Sequence, residues 1–145
     1  MIHLPDEEYI MTTITDVHAR TVNVPLDNPT SFSNRQVLKR DYVLVEVVGD
    51  DGHVGIGFCY GGNNAGSLVA NAVRELLRPV LVGGDAHATE ALWQAMYQES
   101  LLHGRTGSVM RAISILDTAL WDRNARAANL PLYKYLGASD TYSVP

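Results

Sequence analysis

Residues 41–62 read DYVLVEVVGDDGHVGIGFCYGG, and residues 65–81 read AGSLVANAVRELLRPVL. The hydrophobic period changes between them, from two to 3.6, near residue 62, and that change decides the fold class. Residues 41–49 are rich in Val and end at Gly49, which predicts a strand. Asp50-Asp51-Gly52 is a hairpin turn signal, because Asp-Gly supplies positive φ angles. In 53–60, Val54, Ile56, Phe58 and Tyr60 share one face, and His53, Gly55, Gly57 and Cys59 the other. Two glycines leave that second face flat, which suits another backbone packing closely there.

Upstream, residues 13–25 read as a first strand. Its apolar phase slips from Val17 and Ala19 to Val22 and Val24, so a bulge is expected near Thr21. Residues 26–40 carry Pro29, two Asn and two Ser without any period, which predicts a long loop of the kind that serves as a lid or binding loop.

Downstream the pattern is helical. Val69, Ala72, Val73, Leu76 and Val80 form one stripe, with Pro79 ending the regular pattern. Gly83-Gly84-Asp85 is a break with a candidate N-cap, before a helix over 87–101 carrying Leu92, Ala95, Met96 and Glu99 at helical spacing. Val109, Ile113, Leu116 and Leu120 mark the longest helix, 108–128, which Asn129-Leu130-Pro131 breaks. Pro131 suits the first turn of a short helix closed by Gly137. The expectation is an α+β fold: a three-stranded antiparallel meander followed by a helical bundle.

With 145 residues, 46 % apolar and 19 % charged, the chain can bury a core without disulfides. Eleven Lys+Arg against sixteen Asp+Glu, with no basic cluster, argue against nucleic-acid binding. The single Cys59 rules out an internal disulfide framework and points to a reducing, cytoplasmic location. No stretch reaches the roughly 18 apolar residues of a membrane span.

Catalytic motifs are sparse. Gly55-Ile56-Gly57 lacks the third glycine of a dinucleotide fingerprint, since position 60 is Tyr60. His87 and Glu90 stand three apart, but one such pair reads as a solvated helix face. The five histidines have no ligand spacing, so no metal site is assigned. Asp117 lies on the apolar side of the long helix and needs a partner; an anchor for a loop or an Arg is favoured over a catalytic role. Asp122 and Arg126 form a favourable i,i+4 pair.

The string Ala112-Ile-Ser-Ile-Leu-Asp117-Thr-Ala-Leu-Trp121-Asp122, continuing through Pro131 and Leu132-Tyr-Lys-Tyr-Leu-Gly137, resembles a signature of the enolase superfamily. The branch it resembles is that of mandelate racemase and muconate-lactonising enzyme. Asp51-Gly52-His-Val-Gly55-Ile-Gly57 is similar to the family's turn and third strand. Many members carry Glu where this chain has Phe58, which tilts the resemblance toward acid-sugar dehydratases and racemases and away from cycloisomerases.

The resemblance implies an N-terminal capping domain at 13–137, after a loose tail at 1–12. It also implies that 138–145 opens a (β/α)-barrel that the chain does not continue. The parent enzyme would use Mg²⁺ to abstract a proton α to the carboxylate of a small substrate. Its catalytic residues would lie in the barrel, on the same or another chain, and a homo-oligomer is implied. The cap would contribute a lid, with Ser31, Phe32, Asn34, Arg35 and Tyr60 as candidate substrate-facing residues. Asp117, Trp121 and Asp122 would be structural, and the cap would hold no cofactor or catalytic residue of its own. A stand-alone interaction module, or one half of a split enzyme, is the alternative.

Overall fold

A computed structural model describes residues 10–62 and 64–138. The expected barrel start from 139 and most of the expected tail lie outside the described residues. Three strands, β1 (Ile14–Phe32), β2 (Arg35–Gly49) and β3 (Val54–Gly62), form an antiparallel sheet in the order β1-β2-β3. Helices follow: α1 (Gly66–Asn71), a π-helical segment (Ala72–Leu77), α2 (Arg78–Leu81), α3 (Thr89–Ser100), α4 (Ser108–Ala127) and α5 (Leu132–Tyr135).

Alternation fixes which face of β2 is buried: Val43, Val45 and Val47 are fully buried, while Tyr42, Leu44 and Glu46 face outward. The Asp50–His53 turn closes the β2–β3 hairpin, with Gly52 at φ +80°. α4 lies across the inner face and buries Ile113, Ile115, Leu116, Ala119 and Leu120. Its approach is so close that a Cβ on Gly55 would fall on the Ala119 carbonyl oxygen, and one on Gly57 on the Ile115 carbonyl oxygen. The flat glycine face is therefore the seat of the longest helix. α4 ends in a Schellman turn: Asn129 takes φ +53°, and the Leu130 amide donates to the Ala125 carbonyl at 2.9 Å.

Both sheet edges are sealed by helix side chains. Arg74 donates to the Ala19 carbonyl of β1 at 2.9 Å. On β3, the Asp122 carboxylate accepts from the Ile56 amide at 2.9 Å, and Arg111 donates to the Tyr60 carbonyl at 3.0 Å. Occupied edge groups are unavailable for pairing with another chain.

Four local expectations are corrected. The β1–β2 register runs unbroken from Asp16 to Pro25, so Thr21 carries no bulge; the irregularities fall between Ile14 and Asp16 and between Pro25 and Thr30. Val22 and Val24 switch face because the outer face is itself apolar there: Val22 sits opposite Tyr42, and Tyr42 opposite Tyr60. Pro79 does not end its helix. The π-helical segment shifts the hydrogen-bond pattern just before it, and α2 runs on to Leu81. Asp85 caps no helix; its carboxylate takes the His87 amide at 3.1 Å. Ala95 and Glu99 face solvent, and α3 buries Leu92, Met96 and Ser100 instead.

Candidate functional site

The fifth correction shapes the site. Residues 26–40, expected as a loop, belong mostly to β1 and β2. Pairing continues to Phe32–Arg35, around a tight tip in which Ser33 takes φ +53°. β3 pairs with β2 only over Asp41–Val48, so beyond that point β1 and β2 project as a two-stranded arm. Residues 26–29 stand opposite Leu38 alone, and this bulge houses Pro29, which cannot donate to a ladder. Both faces of the arm meet solvent over most of its length, so no apolar period marks it as strand.

Where the arm leaves the body, it meets the end of β3 in a two-lobed cleft. One lobe, of about 310 Å³, is lined by Phe32, Arg35, Gln36, Val37, Tyr60 and Gly62. The other, of about 390 Å³, is lined by Thr30, Phe32, Val37, Arg40, Tyr42 and Tyr60. Phe32, Val37 and Tyr60 are common to both. The Tyr42 and Tyr60 rings lie 5.9 Å apart, tilted by 57°. Phe32 is 61 % exposed, although Val37 beside it is buried. An exposed aromatic over a cleft is poised to contact a ligand.

Of the residues expected to face substrate, Phe32, Arg35 and Tyr60 come together here. Ser31 and Asn34 stay exposed on the arm and line neither lobe. Arg40 and Tyr42 were not among the candidates. The pairing of Tyr42 with Tyr60 on one sheet face is the signal that finds Tyr42.

Asp117, Trp121 and Asp122 lie on α4, away from the arm. Asp117 and Trp121 line a cavity of about 300 Å³ with Thr89, Glu90 and Trp93. Burial pushes the Asp117 carboxyl above the usual carboxylate range and Glu90 adds to it, against a hydrogen bond from Trp121. Its partner is thus an indole on its own helix, not the loop or Arg expected. Asp122 binds the Ile56 amide and also pairs with Arg126 at 2.7 Å. Next to it, Arg123 is fully buried, pairs with Asp51 of the hairpin turn and donates to the Asn124 side chain at 2.8 Å. Asn124 in turn donates to the Ala86 carbonyl at 2.8 Å. This chain of contacts joins hairpin, long helix and the 83–88 connection.

Among the described residues, no three His, Cys, Asp or Glu side chains converge to hold a metal ion. His87 precedes α3, and its ring meets the Thr12 hydroxyl at 3.3 Å. The described residues therefore do not fit a Mg²⁺ site. No helix among them is long and apolar enough to cross a membrane.

A sheet backed by a long helix, followed by Pro131 and a short helix closed by a glycine at φ +84°, defines an enolase-type N-terminal domain. The chain belongs to the family described as mandelate racemase / muconate lactonizing enzyme, N-terminal domain, which matches residues 14–137. A 3,6-anhydro-alpha-L-galactonate cycloisomerase from Streptomyces coelicolor is 35 % identical over 111 residues, covering 77 % of this chain and 31 % of its own. An arabinonate dehydratase from Saccharolobus solfataricus is 39 % identical over 101 residues, covering 68 % and 26 %.

Among solved structures, a racemase from Streptomyces coelicolor A3(2) with bound magnesium superposes with a TM-score of 0.83 at 34 % identity, over 88 % of this chain and 36 % of that one. An L-talarate/galactarate dehydratase from Salmonella typhimurium LT2, liganded with Mg and L-lyxarohydroxamate, gives 0.81 at 26 % identity, over 94 % and 36 %. This chain thus spans about a third or less of its relatives' lengths. The relatives include a cycloisomerase as well as dehydratases.

Proposed function

We propose that this chain is the capping domain of a Mg²⁺-dependent enzyme, a racemase or acid-sugar dehydratase, that abstracts a proton α to a carboxylate. The domain occupies 13–137, and 138–145 leads into a barrel domain. The observation that carries this reading is the cleft gathering Phe32, Arg35 and Tyr60 at the root of the arm. When bound, Mg²⁺ supplies positive charge beside the reacting carboxylate, and it belongs with residues outside this chain. The cap's own contribution is to exclude water and hold the remainder of the substrate. Phe32 closes over the ligand, Tyr60 lines the cleft beside it, and Arg35 offers a charged donor. Excluding water strengthens every electrostatic interaction at the reacting centre and suppresses side reactions.

Phe32→Ala, in the chain completed by its barrel, is expected to lower kcat/KM about tenfold and to broaden substrate choice, with an unchanged thermal midpoint, since an exposed ring adds little to folding. Steady-state kinetics across a panel of acid sugars checks it. Wild-type kinetics on every substrate would remove the arm from the site.

A further inference from the structure

The arginines of this chain fall into two groups. Arg20, Arg74, Arg78, Arg111, Arg123 and Arg126 are each held by a carboxylate or carbonyl within the fold. Arg35 and Arg40 are not: both are exposed, and among the described residues neither has an ion-pair or hydrogen-bond partner. Arg105 also has none, but it lies in the loop before α4 and lines neither lobe of the cleft. Arg35 lines one lobe and Arg40 the other, on either side of the wall made by Phe32, Val37 and Tyr60. Among the described residues no Asp or Glu lines either lobe, so the described lining carries two positive charges and no negative one. Its remaining polar groups, on Thr30, Gln36, Tyr42 and Tyr60, suit hydroxyls.

We infer that the substrate is anionic at both ends: Arg35 and Arg40 receive a second acidic group, remote from the reacting carboxylate. This rests on the capping role proposed above, in which residues outside this chain hold the reacting end. A terminal CH₂OH would leave two guanidinium groups facing a neutral atom. A terminal carboxylate or phosphate presents oxygens that match the guanidinium fork and gains charge-assisted hydrogen bonds. The substrate class is therefore a sugar diacid or a phosphorylated sugar acid rather than a simple aldonate.

The test is steady-state kinetics of the chain completed by its barrel, with Mg²⁺. Hexose-derived diacids, their aldonates of the same configuration, and the 6-phosphoaldonates are compared. The best doubly anionic substrate should exceed its aldonate at least tenfold in kcat/KM. Arg35→Gln and Arg40→Gln should each lower kcat/KM for it about 10- to 100-fold, mainly through KM, and lower that for the aldonate by a clearly smaller factor. Arg→Lys should restore part of the loss, and Arg105→Gln should change nothing. Preference for a diacid or for a phosphoaldonate identifies which anion the arginines hold. Aldonates used as well as their diacids and phosphates, or Gln variants with wild-type kinetics, would overturn the inference and leave the capping role standing. No turnover of any sugar acid would instead remove the capping role itself.

Discussion

Gly55→Ala is expected to lower folding stability by about 4 kcal/mol. The new Cβ would fall on the Ala119 carbonyl oxygen and the Arg123 backbone nitrogen, neither of which is a movable side-chain end. The strand and α4 would have to separate, loosening the layer that buries Val45, Val47, Leu116 and Leu120. Overpacking typically costs about 1–3 kcal/mol and more where backbone must move. Against a total of roughly 5–15 kcal/mol, that leaves little margin. Gly52→Ala is the comparison: its Cβ meets nothing within 4 Å, and its φ of +80° alone is unfavourable, by about 1–2 kcal/mol. Urea unfolding of both variants checks the difference. Equal, small losses would mean that α4 does not lie on β3.

Asp51→Ala is expected to cost roughly 3 kcal/mol, because it strands a buried charge. Arg123 has no exposed surface, and its Nε already lacks a hydrogen-bond partner. Without Asp51, its guanidinium keeps only the Asn124 side chain. Adding Arg123→Met should recover most of the loss, since removing both charges leaves neither unpaired. The pair also sets a pH dependence. Burial pushes the Asp51 carboxyl up, but the Arg123 hydrogen bond, the His53 amide and the nearby positive charge outweigh it, and the carboxyl ends below its usual range. A folded-state pKa below the unfolded value contributes stability above the unfolded pKa, and that contribution is lost as pH falls through the folded one. The stability gap between wild type and Asp51→Ala should therefore be full at pH 7 and shrink below about pH 4. A gap that stays constant into acid would contradict the pairing.

The hairpin was readable because one face of β2 is buried and the other is not, so alternation survives in the sequence. The glycine face of β3 was readable for the same reason. The arm was not, because solvent on both faces imposes no period, and Pro29 and the polar residues then look like a loop. Phe32, Arg35 and Tyr60 were found through the family resemblance, whereas Arg40 lay hidden inside the supposed loop. The roles of Asp122 and Arg123 could not be read at all. Asp122 reads locally as a helix pair with Arg126, but it also holds an amide 66 positions away in sequence. Arg123 reads as an ordinary surface cation until its partner 72 positions away is known. Nothing in local spacing encodes such contacts.

The capping role itself is tested most directly by measuring α-keto acid formation or racemisation of sugar acids with Mg²⁺, for the 145-residue chain alone and joined to its barrel. The account predicts turnover only with both domains present, and kinetics that respond to changes in the arm. Turnover by this chain alone would place the chemistry inside it and contradict the account.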